Sequence, residues 1–513
     1  MKIRGNIMLV KVNSIVIVGL EVLGVTIEVN IANRGFPSFD IVGLPTKAIA
    51  ESKERIKTAI INSGIEFPNK RITVNLAPAD LPKEGTMYDF PIAAGIIAAS
   101  KGINIPNDSV FFGELSLDGS IKSTKGAVLL GLYAREKNLP TVFGPENCVK
   151  EMALVKGINV FKISNLTEFV GFMLGEINLP IYTQSNEEQN PDKYDKYPND
   201  MSYILGQSKA KRALEISAAG GHNLLLMGSP GVGKTALVKS LSTILPPLTE
   251  QESLEVTKIY SSVGLLSNQT PIVSSRPIRS PHHTISYSGL VGGGMVPKVG
   301  ELSLAHKGIL FLDEFSEFPR NLVESLRQPM EDRKITISRA KTTSTFPCEF
   351  TLIAASNPCP CGYLGHPTKP CICSDQLIKK YRSKLSGPII DRIDLFIEIF
   401  AVPIEELENS NITNNNEMSF SIKTRVINAR NIQMERNKNV PNSILTNSQI
   451  NDICTLDKDA KKILNLASNK FNLSPRSYFK IIKVARTIAD LAQEKNINEN
   501  HIAEAIQYKC LQV

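Results

Sequence analysis

The chain has 513 residues, a length that predicts about three domains rather than one. Its apolar content of 42% and charged content of 21% are globular values, and its net charge of +8 fits either a polyanionic partner or a solvated basic surface. The sequence has no run of about 18 apolar residues and no signal-type segment after Met1, so we expect a cytoplasmic protein without a membrane span.

The first 182 residues alternate strand and helix signals, which predicts an α/β or α+β domain. Short apolar or alternating runs predict strands, and helical spacing of apolar residues predicts helices. The predicted strands are Ser14–Val18, Val25–Ile31 and Ile72–Leu76, and the predicted helices are Pro45–Asn62, Asp89–Ala99 and Leu129–Lys137. This part of the sequence lacks the pattern of a phosphate-binding loop.

The segment Ala77–Phe90 resembles the nucleophile region of Lon-type peptidase domains, in which a Pro-Lys-Asp-Gly run precedes the catalytic serine. Here the run is Pro82–Gly85, and the position near Met87 carries no serine. Thr86 is adjacent, but without the serine hydroxyl there is no acyl-enzyme chemistry of the Ser–Lys type. We therefore expect residues 1–182 to form a Lon-peptidase-like α+β domain that is not a peptidase.

A polar stretch separates this region from the next one. Residues 183–200 lack aliphatic side chains and contain two prolines, which predicts a linker. Beyond it, Gly228–Thr235 fits the P-loop pattern of Gly, four residues and Gly-Lys-Thr. The apolar run Leu224–Met227 predicts a buried strand before the loop, and a helical pattern follows over Ala236–Leu245. The motif needs this order of strand, turn and helix.

The P-loop predicts a site for a nucleoside triphosphate, ATP, with Mg²⁺. Its glycines let successive backbone N–H groups point into one concavity, and the helix N-terminus adds partial positive charge. We expect Lys234 to reach the β- and γ-phosphates and Thr235 to bind Mg²⁺. The expected nucleotide-binding residues are Gly228, Ser229, Pro230, Gly231, Val232, Gly233, Lys234 and Thr235, with Asp313 further along the chain.

A second buried strand, Gly308–Leu312, ends in Asp313 and Glu314. Two acids after a strand could simply favour the N-terminus of a helix. About 80 residues after the P-loop, however, they have the form of a Walker B motif. We expect Asp313 to hold the Mg²⁺ shell and Glu314 to orient and deprotonate the attacking water.

Asn357 ends a third buried strand, Thr351–Ser356. It matches the sensor-1 position, where an amide orients the attacking water. The alternative is an ordinary turn residue, because Pro358 follows. We favour the sensor because the order of strands in an AAA+ ATPase requires a polar residue there.

Two arginines are expected to act on nucleotide. The segment Gly387–Leu395 resembles segments of MCM helicases and Mg-chelatase ATPase subunits in which an arginine enters the site of the neighbouring subunit, which makes Arg392 the expected arginine finger. The alternative is a surface pair with a neighbouring aspartate. Arg476 lies in the first turn of a predicted helix that begins after Ser474, where its charge opposes the helix dipole, as expected of a sensor-2 arginine.

Taken together, these motifs resemble the ComM/YifB family of Mg-chelatase-like AAA+ proteins. The runs Ala219–Asn223, Arg279–His283, Gly300–His306 and Leu473–Leu491 carry the same resemblance. It implies an AAA+ core at residues 201–407, a C-terminal helical lid at 420–513, and a homo-hexameric ring with nucleotide sites between subunits. It also implies a DNA branch-migration helicase of natural transformation.

Basic residues predict where DNA binds. The stretch Arg333–Thr343 reads as a hairpin, and in a ring its basic tip would track a phosphate backbone without reading sequence. The expected DNA-binding residues are Arg333, Lys334, Arg339 and Lys341. An insertion at about Thr257–Gly294 adds Arg276, Arg279, His282 and His283. The alternative is a solvated surface hairpin.

Four of the eight cysteines are grouped, at Cys359, Cys361, Cys371 and Cys373. They could form a tetrahedral structural zinc site that holds a loop with little core of its own, and His366 could replace one thiolate. The alternative is a set of reduced thiols.

These features predict an ATP-hydrolysing ring motor that acts on DNA, on branched or single-stranded intermediates of recombination. The alternative is a chelatase-type or chaperone-type ring that remodels a protein partner with the same ATP chemistry. Such a ring would usually present an aromatic pore loop, and the predicted hairpin tip is basic.

Overall fold

The computed structural model describes residues 8–43, 47–79, 81, 83, 86–182, 199–266, 271–294, 297–339, 343–366, 368–384, 387–402 and 417–509. Most of the linker predicted at 183–200 lies outside these residues, and so does Lys341. The described chain consists of two regions of mixed strands and helices and a helical C-terminal region.

The N-terminal region alternates strands and helices. Its strands are β1 (Met8–Val18), β2 (Glu21–Ala32), β3 (Ser38–Val42), β4 (Arg71–Ala77), β5 (Ser109–Phe111), β6 (Glu114–Leu115), β7 (Ile121–Lys122), β8 (Thr141–Gly144) and β9 (Asn159–Lys162). Its helices are α1 (Lys47–Asn62), α2 (Asp89–Lys101), α3 (Ala127–Glu136), α4 (Glu146–Met152) and α5 (Leu166–Met173). Within the described residues, seven strands form one sheet in the order β3-β4-β2-β1-β5-β8-β9.

Strands β1 and β2 are longer than the sequence predicted. They pair antiparallel from Met8 opposite Ile31 to Val18 opposite Glu21. In the first half of β1, Val10 and Val12 are buried while Lys11 is exposed, so this part alternates instead of forming a continuous apolar run. The prediction missed it because only the most apolar part of each strand was recognised.

The central region contains the strands β10 (Leu224–Gly228), β11 (Ile278–Arg279), β12 (Gly292–Gly293), β13 (Lys298–Val299), β14 (Ile309–Leu312), β15 (Lys334–Ser338), β16 (Thr343–Pro347), β17 (Thr351–Ser356) and β18 (Leu395–Ile399). Its helices are α6 (Ser208–Gly220), α7 (Lys234–Leu241), α8 (Glu250–Val263), α9 (Tyr287–Val291), α10 (Glu301–Leu304), α11 (Arg320–Ser325), α12 (Arg327–Asp332), α13 (Asp375–Arg382) and α14 (Gly387–Ile390).

A parallel sheet with strand order β11-β14-β17-β10-β18 forms the centre of this region. Strand β10 comes first in the chain but lies between β17 and β18, so the strand order reverses beside it. In open parallel sheets, ligands bind at such a reversal, outside the carboxyl ends of the strands. Strands β10, β14 and β17 are almost entirely buried, as their apolar runs predicted.

The C-terminal region is helical. Its helices are α15 (Ser419–Arg436), α16 (Asn447–Ile453), α17 (Lys458–Phe471), α18 (Pro475–Leu491) and α19 (Glu499–Gln507). They share one apolar core with α6 and the central sheet, to which Val426, Leu464 and Ile482 contribute. None of the helices among the described residues is long and apolar enough to cross a membrane.

The two mixed regions touch through α3 and α8. The backbone N–H of Gly126 donates to the carbonyl of Ser261 at 2.9 Å, and the Ser261 hydroxyl donates to Glu151 Oε2 at 2.9 Å. Burial raises the pKa of Glu151. The turn after β1 also packs on the β15–β16 hairpin, where a Cβ on Gly19 would lie 2.9 Å from Ser344 Oγ.

A buried polar network fixes helix α18 against the rest of the C-terminal region. Asp490, 1% exposed, accepts from Arg436 Nη1 at 2.6 Å and from Asn442 Nδ2 at 2.8 Å. Asn442 also donates to Thr487 Oγ1 at 3.0 Å, and this hydroxyl lies 2.7 Å from Nε2 of the buried His222, directly before β10. The network therefore connects α18 to the strand that leads into the P-loop.

We predict that Asp490→Ala destabilises the C-terminal region by about 3–5 kcal/mol, because the buried guanidinium of Arg486 and the partly buried guanidinium of Arg436 lose their carboxylate. Urea unfolding followed by circular dichroism measures the shift in midpoint. The control is Asp459→Ala, which breaks the exposed pair with Lys462 and should leave the midpoint nearly unchanged. Equal midpoints for the two variants would contradict the assigned role of the network.

Candidate functional site

The P-loop joins β10 to α7. Gly231 and Gly233 have φ values of +83° and +89°, a left-handed conformation that glycine adopts without strain. Because Gly233 caps the helix, α7 begins at Lys234, two residues before the predicted start, and it ends at Leu241 rather than Leu245. The loop's backbone N–H groups and the helix N-terminus are thus available to phosphate oxygens.

The carboxyl ends of β10, β14 and β17 bring the sequence-predicted nucleotide residues together. Lys234 Nζ donates to the carbonyls of Gly228 at 2.6 Å and Ser229 at 3.0 Å, and to Asn357 Oδ1 at 3.1 Å. The Thr235 hydroxyl donates to Asp313 Oδ2 at 2.8 Å. Lys234 and Thr235 begin helix α7, and Asp313 and Asn357 directly follow strands β14 and β17, so the backbone sets the spacing of these side chains.

These residues line a cavity of about 400 Å³, which we call the P-loop cavity. Its lining comprises Pro230, Gly231, Gly233, Lys234, Thr235, Ala236, Asp313, Glu314, Ala355, Ser356 and Asn357. Burial lowers the pKa of Lys234, while the charges of Asp313 and Glu314 act in the opposite direction. The ammonium therefore sits in a partly desolvated site where an anionic ligand would be strongly attracted.

The donor set at Thr235 and Asp313 fits Mg²⁺. Hydroxyl and carboxylate oxygens are the hard ligands that this ion prefers, and the two are already 2.8 Å apart. When bound, Mg²⁺ would neutralise charge between the phosphates.

Glu314 has a neighbour that the sequence did not indicate. His283 Nδ1 lies 3.5 Å from Glu314 Oε2, and the His283 ring meets the edge of Phe318 at 6.4 Å. Glu314 itself is in the left-handed region with φ +51°, and its N–H donates to Asp313 Oδ1 at 2.9 Å. The sequence placed His283 in an insertion with other basic residues, and the structure places its ring beside Glu314.

Arg392 and Arg476 lie in a different cavity, of about 460 Å³, which we call the arginine cavity. It is also lined by Arg333, Arg430, Lys480 and Lys483. Neither Arg392 nor Arg476 is among the described residues that line the P-loop cavity. Both guanidinium groups donate instead to one oxygen, Oε1 of Glu331, with Arg476 Nη2 at 3.1 Å.

The basic residues expected to face DNA lie in several places. Arg276 binds Glu252 Oε2 at 2.8 Å, and Arg279 forms a bidentate pair with Glu301 at 2.7 and 2.8 Å. Arg333 lines the arginine cavity. Arg276 and Arg279, the two arginines of the predicted insertion, are therefore each paired with a glutamate of their own chain.

The predicted hairpin is present as β15 paired with β16, with Ser338 opposite Thr343, but its second strand runs from Thr343 to Pro347, beyond the predicted end of the hairpin at Thr343. One face is exposed and polar and carries Lys334, Thr336, Ser338, Thr343 and Thr345. The opposite face buries Ile335, Ile337 and Phe346 in the central core. Arg339 is exposed, and its Nε donates to the Gly294 carbonyl at 3.2 Å. The hairpin is therefore fixed on one face and open on the other.

The four grouped cysteines converge. The Sγ atoms of Cys359, Cys361, Cys371 and Cys373 all lie within 4.8 Å of one another. The Cys359–Cys361 separation is 3.4 Å, and the Cys359–Cys371 and Cys361–Cys371 separations are 3.6 Å. A tetrahedron with Zn–S bonds of about 2.3 Å has edges of about 3.8 Å, so these thiols fit zinc.

The backbone of residues 359–373, which we call the cysteine loop, contacts both its thiols and His366. Backbone N–H groups of Tyr363 and Ile372 lower the pKa of Cys361 to about 6, whereas desolvation and the neighbouring Cys361 raise the pKa of Cys371 and of Cys373. His366 Nδ1 accepts from the N–H groups of Thr368 and Lys369 at 3.2 and 3.1 Å, so this nitrogen is engaged within the loop.

The cysteine loop also packs against the P-loop. A Cβ built on Gly362 would lie 2.5 Å from Pro230 Cδ and 3.9 Å from Asn357 Cγ. Only a glycine allows this approach, because its φ of +82° is also unfavourable for other residues. The fold thus places the candidate metal site directly beside the nucleotide site.

In the N-terminal region, the Thr86 hydroxyl donates to Glu114 Oε2 at 2.5 Å. Lys125 lines the same cavity as these two residues, at the contact with the central region.

Comparison with known proteins covers almost the whole chain. Three family models match: "Magnesium chelatase, subunit ChlI" at residues 200–407, "Subunit ChlI of Mg-chelatase" at 27–147 and "Magnesium chelatase, subunit ChlI C-terminal" at 416–509.

Two relatives match over nearly their full length, and a third matches over a part of it. Competence protein ComM of Haemophilus influenzae is 42% identical over 96% of this chain and 96% of its own. YifB of Salmonella typhimurium is 40% identical over 96% of this chain and 95% of its own. The DNA replication licensing factor Mcm2 of Drosophila melanogaster is 27% identical over 37% of this chain and 20% of its own. The chain therefore belongs to the ComM/YifB family of Mg-chelatase-like AAA+ proteins.

Proposed function

We propose that this chain is one subunit of an ATP-hydrolysing hexameric ring that moves on DNA, as a branch-migration helicase of the ComM type. The observation that carries the ATPase part is the single cavity in which Lys234, Thr235, Asp313, Glu314 and Asn357 meet. Family membership supports the same activity.

In this proposal each side chain of the P-loop cavity has one task. Lys234 binds the β- and γ-phosphates, while Thr235 and Asp313 hold Mg²⁺. Glu314 accepts a proton from the attacking water, and Asn357 orients that water while staying within 3.1 Å of Lys234. The backbone N–H groups of the P-loop hold the nucleotide in place.

The ring is supported by the positions of the two functional arginines. Arg392 and Arg476 line the arginine cavity and not the P-loop cavity of their own chain. An arginine that stabilises the transition state must touch the γ-phosphate. We therefore propose that both act on ATP bound to the neighbouring subunit, Arg392 as finger and Arg476 as sensor 2.

Movement on DNA is proposed for the exposed face of the hairpin. Lys334 and Arg339 supply positive charge, and hydroxyls such as Thr336 and Thr345 can donate to phosphate oxygens. Such contacts bind a phosphate backbone of any sequence, as a translocating motor requires. Lys341, outside the described residues, belongs to the same predicted tip.

The other parts of the proposal concern the architecture. We propose a Lon-peptidase-like domain without a peptidase nucleophile at residues 1–182, an AAA+ core at 201–407 and a helical lid at 420–513. We further propose that Cys359, Cys361, Cys371 and Cys373 hold a structural zinc ion, since four thiolates leave no open coordination position for catalysis.

Mixing two inactive variants tests whether Arg392 acts between subunits. Alone, Lys234→Ala loses phosphate binding, and Arg392→Ala should lose about 10³-fold or more in ATPase rate. A mixed ring contains interfaces with an intact P-loop opposite an intact Arg392, so we expect part of the rate to return. In the control mixture, Lys234→Ala with Glu314→Gln, every subunit has a defective P-loop cavity, so the mixture should stay inactive. Arg392 would be acting within its own chain if neither mixture recovered.

DNA stimulation tests the motor. We expect forked or four-way DNA to raise the ATPase rate of the wild type. Arg339→Ala/Lys341→Ala should keep the DNA-free rate, lose the stimulation, and make the dependence of log affinity on log salt shallower by about 1.5, because two phosphate contacts are lost. Lys461→Ala, an exposed lysine on α17, is the control and should behave as wild type.

The opposite result would favour the other class of motor. If DNA of any shape neither binds at low salt nor changes the ATPase rate, the ring acts on a protein partner.

Metal analysis tests the cysteine site. Full-length protein purified without chelator should contain about one zinc per chain, because four thiolates within tetrahedral distance bind this ion tightly. Cys361→Ala/Cys371→Ala should lose it, and Cys454→Ala, a buried cysteine of the C-terminal region, should retain it. Equal zinc in both variants, or zinc-free wild type, would rule out the site.

A further inference from the structure

Glu331 is an exposed carboxylate between two arginines that the proposed mechanism needs elsewhere. It lies near the end of α12, and its side chain is 48% exposed. One of its oxygens, Oε1, accepts from Arg392 Nη2 and, at 3.1 Å, from Arg476 Nη2. These partners are 61 and 145 residues further along the chain, so the fold and not local sequence creates the contact.

Arg392 is held back in this arrangement. Its side chain is only 8% exposed, and its Nη1 donates to the Pro388 carbonyl. Its buried Nε finds no hydrogen-bond partner among the described residues. A guanidinium that must enter a neighbouring site is therefore folded against its own chain.

The surroundings of Glu331 are strongly positive. Arg476, Lys480 and Lys483 lie at i, i+4 and i+7 on α18, so they share one helix face, and all three line the arginine cavity with Arg333. Burial lowers the pKa of Arg392, and the charges of Arg476 and Arg327 lower it further against the attraction of Glu331. Glu331 thus supplies negative charge where several cations would otherwise repel one another.

A carboxylate oxygen that accepts from two guanidinium groups makes the same bonds that a γ-phosphate oxygen would make. Both acceptors cannot occupy the same donors at once. We propose that Glu331 is a positioning residue that holds Arg392 and Arg476 together in the free subunit and releases them to the γ-phosphate of ATP bound to the neighbouring subunit. This inference rests on the proposed action of the two arginines between subunits.

The proposal makes assembly depend on this contact. In the free subunit, ATP on the neighbour must displace Glu331 before it can bind both arginines. Without the carboxylate the two arginines lose their shared acceptor, and the surface becomes one charge more positive toward the incoming triphosphate.

Assembly of the full-length protein with a non-hydrolysable ATP analogue and Mg²⁺ tests this. Sedimentation velocity over a range of protein concentrations gives the midpoint of ring formation. We expect Glu331→Gln to lower this midpoint about tenfold, equivalent to about 1.4 kcal/mol. An unchanged or higher midpoint overturns the proposal.

Glu324→Gln is the matched control. Glu324 lies one residue before the end of the preceding helix and contacts Arg327 at 3.4 Å, so the change removes the same charge seven residues away without removing a partner of Arg392 or Arg476. We expect its midpoint to equal that of wild type. A decrease as large as that of Glu331→Gln would mean that net charge alone is responsible, and the proposal would fail.

A second measurement does not require a ring. Phenylglyoxal modifies accessible arginines, and peptide mass spectrometry reports the rate at Arg392 in the nucleotide-free protein. We expect Arg392 to react several-fold faster in Glu331→Gln than in wild type or Glu324→Gln, and equal rates would overturn the proposal. If the wild type failed to assemble with nucleotide at any concentration, the proposed ring would fail, and the reactivity of Arg392 would still decide whether Glu331 restrains it.

Discussion

The alignment of three parallel strands is the constraint on which the nucleotide site depends. Strands β10, β14 and β17 are hydrogen-bonded neighbours or next neighbours in one sheet, and each ends at the same edge. The residue after each strand end is polar, so the alignment of the strands alone brings the P-loop, Asp313 and Asn357 together. A shift of one residue in β17 would turn its side chains to the opposite face of the sheet and separate Asn357 from Lys234.

This dependence explains which features the sequence could predict. A buried strand is a short apolar run, and a polar residue at its end is visible in the sequence, so Asp313, Glu314 and Asn357 were found from this local pattern together with their positions after the P-loop. The same local reading could not find the contact of His283 with Glu314 or of Glu331 with Arg392, because these pairs form between distant segments. It also shortened β1 and β2, whose ends alternate and are not continuously apolar.

The basic residues show the same difference between what the local sequence reveals and what depends on contacts between distant segments. The net charge of +8 correctly describes a basic chain, but several of its arginines are already paired. Arg276 binds Glu252 and Arg279 binds Glu301, whereas the hairpin leaves Lys334 and Arg339 exposed. A basic composition therefore does not identify the surface that would bind a polyanion. That surface can be identified only from the positions of the cations that are not paired within the chain.

Helix α18 has the geometry of a lever. Arg476 stands at its first turn, and Thr487, eleven residues further along, is fixed through His222 to the segment before β10. At 1.5 Å per residue the two are about 17 Å apart, so a tilt of about 10° around Thr487 moves Arg476 by about 3 Å. A displacement of this size would break the 3.1 Å hydrogen bond between Arg476 and Glu331. A small change in the angle of α18 is therefore enlarged at Arg476, the residue that carries this contact.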